Sequence, residues 1–311
     1  MDDDLLAVRV AELYYDENKT QDEIGDLLAI SRWKAGRLLS QARERGIVRI
    51  EIVHPRARRL GVERELREKF GLAEAVIVPA PDNEKGITTR VAQAAADYLS
   101  QLRPAPRTLG VSWGRTLDAI AEQLPAGWTT GVRVVQINGG VSLNPRAGTA
   151  ATLAATIAQL GGGSAVLLPS PAILERIETK LAIEADRSVA DVLELARTAS
   201  AYLYSAGVAD ASSVLVESGY LTPTDVADLV RAGAVGDVVG RYINAAGQTV
   251  DARLDERTVG LGLDELRSAT TAIFVVAGRS KHDVARAVVT SGLCTVLVSD
   301  ENTARALLED E

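Results

Sequence analysis

Between residues 20 and 49 the apolar positions recur at three- and four-residue intervals, and residues that start and stop helices punctuate them. Thr20 and Glu23 stand at the spacing of a capping box. That predicts a helix from Gln21, with Ile24, Leu27 and Leu28 on one face. Ala29-Ile30-Ser31 turns the chain, and Ser31 is suited to cap a second helix that carries Leu38, Leu39 and Ala42 inward and stops at Gly46. Upstream, Asp4 to Glu17 reads as a first helix with Leu6, Val10, Leu13 and Tyr14 on one side. Downstream, Ile47 to His54 alternates apolar and polar residues and reads as a half-buried strand, which suggests a winged variant. Two helices joined by so tight a turn predict a helix-turn-helix unit, whose second helix enters the DNA major groove.

A different rhythm begins at Ala75. Short apolar runs (AVIVP, TLGVS, VRVVQIN, AVLLP, AYLYSAG, TAIFVVAG, CTVLVSD) alternate with helical stretches over 86–102, 115–123, 147–160, 281–291 and 301–309. Strands apolar on both faces that alternate with helices predict a mostly parallel, doubly wound α/β domain. Pro55 breaks the first pattern. The stretch PRARRLGVERELREKFGL then reads as a basic linker helix, anchored by Leu60, Leu66 and Phe70, that could space two copies. The expected organisation is a DNA-binding domain over 1–54, a linker over 55–74 and a ligand-binding and oligomerisation domain over 75–311.

Charge sharpens the first assignment. From Ser31 to Arg49 there are six basic residues (Arg32, Lys34, Arg37, Arg43, Arg45 and Arg49) against Glu44 alone, in a chain of net charge −8. Such a local excess fits phosphate contacts by one helix and excludes general coating of nucleic acid. The residues placed against DNA are Thr20, Gln21, Ser31, Arg32, Trp33, Lys34, Arg37 and Arg43. Aromatics make up 4% of the chain, so the cores must be built from Ala, Val, Leu and Ile. The single cysteine, Cys294, rules out an intrachain disulfide and reads as a buried small hydrophobe. No motif calls for a metal or other cofactor. The N-terminus lacks a signal-peptide pattern, and no stretch approaches the ~18 apolar residues of a membrane span, so a cytoplasmic protein is expected.

Ligands of open parallel sheets sit at the carboxyl ends of strands. Four loops fall there. Gly110-Val111-Ser112-Trp113-Gly114-Arg115-Thr116 joins a strand to a helix. It offers close backbone approach, helix N-terminal amides and two hydroxyls, a plausible phosphate cradle without the Gly-Lys-Ser/Thr of a Walker loop. Gln136-Ile137-Asn138-Gly139-Gly140 suits a turn with amides facing a ligand. Gly233 to Asp237 supplies a carboxylate for hydroxyl groups. Gly278-Arg279-Ser280-Lys281 brings a lysine to a helix start, where it could pair with phosphate. GGGS at 161–164 reads as a turn. Gly110 to Gly114 also spells G-x-S-x-G, the nucleophile elbow of α/β-hydrolases, but only His282 follows it as a possible base. A hydrolase, or an enzyme acting on a sugar phosphate through Lys281 or Asp237, is the alternative to a regulator.

The ordered set TQDEIGDLLAISRWKAGRLLSQARERGIV, GVSWGRTL, VVQINGG, LPSPA, GAVGDVVGRYIN and AGRSKHDVARAVVTSGLCTVLVSDENTARALL resembles the SorC family of bacterial transcriptional regulators over nearly the whole chain. The resemblance implies an effector domain similar to sugar-phosphate isomerase and CoA-transferase folds, a phosphorylated sugar or sugar-like effector, and dimers or tetramers on operator DNA. It places Ser112, Trp113, Gly114, Arg115 and Thr116 at the phosphate, with Gly110 of the same loop among the effector-binding residues. It puts Asn138, Gly139 and Gly140 in a pocket loop and sets Asp237 and Lys281 against the effector. Because some members hold their sugar covalently through a lysine, Lys180 and Lys281 are the candidates for such a bond. Ser205-Ala206-Gly207-Val208 stands where many members have a Gly-Ile-Gly turn, and Arg279 where glycine is common; both touch on effector identity.

Overall fold

The computed structural model describes residues 3–48, 58–80, 85–141 and 150–309. The chain divides into two compact units, Met1–His54 and Pro55–Glu311.

In the first unit, α1 (Asp3–Tyr15), α2 (Gln21–Leu28) and α3 (Arg32–Glu44) pack around Leu6, Val10, Leu13, Ile24, Leu38, Leu39 and Ala42. Thr20 and Glu23 form the capping box: the Glu23 amide donates to Thr20 Oγ1 (3.3 Å) and the Thr20 amide to Glu23 Oε2 (2.8 Å). The turn is set by Ala29 in the left-handed region (φ 54°) and by Gly25, where a Cβ would come within 2.8 Å of the Ile30 carbonyl oxygen. Ser31 caps α3 by accepting from the Lys34 amide (3.2 Å). Two expected core residues are turned outward, Tyr14 (37% exposed) and Leu27 (61%). Ile24 and the half-buried Leu28 already fill what eight residues of α2 can present to the core. The strand expected over 47–54 lies outside the described residues from Arg49 onward. Ile47 and Val48 form a bend.

The second unit opens with α4 (Leu60–Phe70), β1 (Glu74–Val78), α5 (Lys85–Gln101), β2 (Thr108–Val111), α6 (Arg115–Gln123), β3 (Arg133–Gln136), α7 (Ala150–Leu160) and β4 (Ser164–Val166). It continues through α8 (Ile177–Ala185), α9 (Arg187–Arg197), β5 (Ala201–Tyr204), β6 (Ala206–Gly207), α10 (Val214–Glu217), α11 (Pro223–Arg231), β7 (Gly236–Val238) and β8 (Arg241–Ile243). It closes with α12 (Ala252–Asp255), α13 (Leu263–Arg267), β9 (Ala272–Val275), α14 (His282–Thr290), β10 (Val296–Asp300) and α15 (Glu301–Leu308). Seven strands form one parallel sheet in the order β1-β10-β9-β5-β2-β3-β4. The alternation expected of strands buried on both faces is present. Tyr202, Tyr204 and Phe274 face the core under α4, α14 and α15, whereas Ala201, Leu203, Ile273 and Val275 face the core under α5, α6 and α7. Cys294 lies in the first of these cores, 4% exposed, and burial pushes its thiol up to about 12.

Three features depart from the sequence reading. α4 is not a free-standing spacer: Leu66 is fully buried in the sheet core, and Glu63 receives Arg58 Nε and Nη2 (both 2.8 Å) and the Ile77 amide (2.8 Å). Residues 58–74 therefore belong to the α/β unit. Glu63→Ala strands the Ile77 amide and the Arg58 fork, and should cost roughly 2 kcal/mol, read as a lower urea midpoint at unchanged slope. Helices α8 and α9, for which no element is predicted above, fill the span between β4 and β5, and α9 carries Val189, Leu193 and Ala196 inward at helical spacing. Finally, β6, β7 and β8 form a small antiparallel sheet, with β7 between the other two. Its strands of two and three residues are too short to announce themselves as alternation.

Candidate functional site

Reading outward from the sheet, β2, β3 and β4 step one way from the centre while β5, β9 and β10 step the other. The strand order switches between β2 and β5, and there a cavity of about 590 Å³ opens at the carboxyl ends of β2, β5 and β9. Two loops of similar build flank it. After β2, Gly114 takes a φ of 131°, a conformation that side chains rarely adopt, and starts α6. The first helical bonds are made by the Leu117 and Asp118 amides to the Gly114 carbonyl, so the Arg115 and Thr116 amides precede the helical ladder. After β9, Gly278 (φ 92°) leads into a 3₁₀ turn over Arg279–Lys281 and then α14. The loops meet where Lys281 Nζ donates to Thr116 Oγ1 (3.4 Å).

The small antiparallel sheet supplies the facing wall. The β7–β8 hairpin turns through Val239 (φ 49°) and Gly240 (φ 85°), and the Gly240 amide donates to Asp237 Oδ2 (3.1 Å). A β-branched residue in the left-handed region is strained, and Val239 lines the cavity. Burial raises the Asp237 carboxyl to about 6 against the opposing pull of the Gly240 amide and Lys281. Burial lowers Lys281 to about 8, with Asp237 resisting and Arg115 adding to the shift. Arg115 reaches across to donate from Nη2 to the Ser212 carbonyl (3.0 Å). The cavity is thus cationic along the β2 and β9 loops and carboxylate-bearing on the wall opposite.

Of the residues expected at the effector, Ser112, Trp113, Gly114, Arg115, Thr116, Asp237 and Lys281 line this one cavity. Four others do not line it. Gly110 lies within β2, where a Cβ would stand 2.7 Å from both Ile137 Cγ2 and Tyr202 Cδ1, so its lack of a side chain serves sheet packing. Gly139 is pressed on the Pro171 carbonyl, 2.2 Å from where its Cβ would be, and Gly140 accepts from Tyr220 Oη (3.0 Å). Asn138 is 1% exposed, and its Oδ1 and Nδ2 have no hydrogen-bond partner among the described residues. This loop acts on the site indirectly, since the Gly139 carbonyl accepts from Trp113 Nε1 (2.8 Å). Lys180 pairs with Glu184 (3.1 Å) on α8 and does not line the cavity, which leaves Lys281 as the lysine placed there. The GGGS stretch packs against backbone: a Cβ on Gly163 would lie 1.8 Å from the Val132 carbonyl oxygen. Among the described residues Ser112 has no histidine beside it in the cavity lining, and His282 Nε2 is buried without a hydrogen-bond partner.

Sequence reasoning missed Asp210, Ser212 and Ser213 on the wall and Asp300 behind it. The first three carry a turn signature, an acid two residues before a serine, and the Ser212 amide donates to Asp210 Oδ1 (2.7 Å). Asp300 ends β10, fully buried, and its Oδ2 accepts from the Gly278 amide (3.2 Å), so it ties down the loop that carries Lys281.

In the first unit, α3 presents Ser31, Arg32, Arg37 and Arg43 exposed and Lys34 half-buried, with Trp33 87% exposed at the start of the helix. The Thr20 and Ser31 hydroxyls are engaged in caps, and Arg32 pairs with Asp22 (3.4 Å). Gln21 lies against Gly36, whose Cβ would stand 3.0 Å from Gln21 Oε1. Among the described residues no helix is long and apolar enough to cross a membrane.

A helix-turn-helix unit with an exposed basic helix, joined to an α/β unit with a polar cavity at its switch point, defines a ligand-responsive transcriptional regulator. Residues 55–309 match the Sugar-bind family model, described as "Putative sugar-binding domain". The chain is 32% identical over 307 residues to the deoxyribonucleoside regulator of Bacillus subtilis (strain 168), covering 98% of this chain and 97% of that protein. It is 31% identical over 309 residues to the transcriptional regulator LsrR of Enterobacter sp. (strain 638), covering 97% and 92%. The crystal structure of the full-length sorbitol operon regulator SorC from Klebsiella pneumoniae superposes with a TM-score of 0.74 at 28% identity, over 99% of this chain and all of that one. The chain belongs to the SorC family of sugar-responsive, DNA-binding transcriptional regulators.

Proposed function

We propose that operator binding by α3 is controlled by a phosphorylated sugar or sugar-like effector held in the cavity at the β2–β5 switch, in a homo-oligomer of two or four chains. The observation that carries this reading is the pairing of two cation-bearing loops on one cavity. Gly114-Arg115-Thr116, with its open amides at the start of α6, and Arg279–Lys281 converge through the Lys281–Thr116 contact. Such a constellation suits a dianion, and Asp237 opposite suits hydroxyls that donate to it. The relatives, among them a deoxyribonucleoside regulator and a sorbitol operon regulator, support sugars and polyols as the ligand class. The effector acts by binding one arrangement of the oligomer better than another, which shifts the spacing of paired DNA-binding units. Two-fold pairing implies a palindromic operator.

DNA selected from a random pool by the full-length protein, followed by titration with a panel of sugar phosphates, tests the proposal directly. At least one phosphorylated sugar should change the affinity for the selected DNA, and the unphosphorylated sugar should not. Arg37→Ala should weaken that DNA binding and reduce the slope of log affinity against log salt by about one unit per lost phosphate contact. An unchanged slope and affinity would move the recognition surface off this face of α3.

A further inference from the structure

We propose that Ser205 is a specificity-determining contact for a hydroxyl group of the effector, an inference that rests on the cavity being the effector site. Ser205 follows β5 directly, at the carboxyl end of the strand that flanks the switch point, and lines the cavity with Ala206 and Gly207. Its Oγ is closed off from water and has no hydrogen-bond partner among the described residues. Three other hydroxyls that line the cavity are engaged. Thr116 accepts from Lys281, Ser212 donates to Asp210 Oδ1 (2.6 Å), and Ser213 accepts from the Leu215 amide (3.3 Å) while meeting Tyr242 Oη (3.3 Å). A buried hydroxyl without a partner is penalised in the empty protein, so its presence calls for an explanation.

The neighbourhood supplies one. From Tyr204 to Gly207 burial alternates, with Tyr204 and Ala206 buried and Ser205 and Gly207 half-buried, so Ser205 and Gly207 share a side, and Gly207 is the cross-strand partner of Asp237. A Cβ on Gly207 would lie 1.9 Å from Asp237 Oδ1, so the strand is shaved to bring that carboxylate close. Ser205 thereby stands on the carboxylate side of the cavity. No hydrogen bond holds its rotamer, and rotation about Cα–Cβ gives the hydroxyl other staggered positions. A hydroxyl that both donates and accepts matches a sugar or polyol hydroxyl whose own proton goes to Asp237. Phosphate would find its partners on the other wall.

Two measurements on the full-length protein test this. The ligand-free Ser205→Ala variant should melt no lower than the parent, since it removes an unsatisfied group; a fall of several degrees would reveal a structural partner and overturn the proposal. Calorimetric binding is then measured with pentose 5-phosphates and hexose 6-phosphates differing in single hydroxyls, and with inorganic phosphate. In Ser205→Ala the ratio of affinities between the preferred sugar phosphate and its deoxy or epimeric counterpart should shrink by up to ~ten-fold, with inorganic phosphate unaffected. An unaltered ratio, or an equal loss for inorganic phosphate, overturns it. Lys281→Ala separates the two readings. If that variant loses every phosphorylated probe while Ser205→Ala leaves the ratio intact, the effector site stands and Ser205 is only lining. If the parent binds none of the probes, the site assignment fails and Ser205 falls with it.

Discussion

Lys281→Ala should abolish the response to a phosphorylated effector, lowering its affinity by roughly thirty-fold to several thousand-fold, the range for truncating one partner of a desolvated charge pair. The chain should still fold, because among the described residues the Lys281 side chain makes one long hydrogen bond, to Thr116, in the free protein. The same residue sets a pH window. Burial holds it near 8, so a bound dianion, which favours its charged form, draws it upward, and affinity declines as pH rises above about 8. Asp237, raised by burial to about 6, accepts hydroxyl donors most strongly when ionised, so affinity also declines below about 6. The stability of the free protein runs differently. Between about 8 and the ordinary lysine value of 10.5 the unfolded chain binds more protons than the folded one, so stability rises with pH there. Between 3.8 and about 6 the folded chain binds more through Asp237, so stability falls as pH rises. Calorimetric titration from pH 5 to 10 reads the first effect and urea unfolding the second. Undiminished affinity in Lys281→Ala, flat across pH 7 to 9.5, would place the phosphate elsewhere.

Gly139→Ala should be the most damaging single methyl that can be added near the site. Its Cβ would meet the Pro171 carbonyl oxygen at 2.2 Å, the carbonyl carbon at 2.5 Å and Ala172 Cα at 2.6 Å, all backbone and none able to swing aside. A loss of roughly 3 kcal/mol follows, with melting lowered by about 6–12 °C. Because the Gly139 carbonyl also holds Trp113, the indole on the cavity wall should loosen, and effector affinity should drop with stability. Gly61→Ala is the control: nothing lies within 4 Å of its added methyl, and alanine is the better helix former. Equal melting of the two variants would show that the 138–140 loop yields more than its packing indicates.

Much of this was legible in the chain itself, and the failures share a cause. Thr20, Glu23 and Ser31 announce their helices because capping is a contest among neighbours in sequence, and it is settled locally. The parallel strands were visible because burial on both faces leaves runs such as AIFV with no polar residue to mislead. Asn138-Gly139-Gly140 shows the limit, because glycine licenses close approach without naming what approaches. Here it is Pro171, not the cavity. The linker was misread because Glu63, a charged residue amid basic neighbours, looks solvated until Arg58 and the Ile77 amide are seen around it. Asp237 was singled out through its loop, but β6 and β7 pair residues some thirty positions apart, and strands of two or three residues, the local β7–β8 hairpin included, leave no period to detect.

The buried Cys294 has a practical bearing on how such predictions can be followed. As the chain's one thiol, sealed in the sheet core and held in its unreactive form, it should meet a colourless disulfide reagent only when that core opens. The untouched protein therefore carries its own clock for opening. A cysteine added on any exposed helix would be the sole fast-labelling position, ready for a single dye without first stripping the chain of competitors.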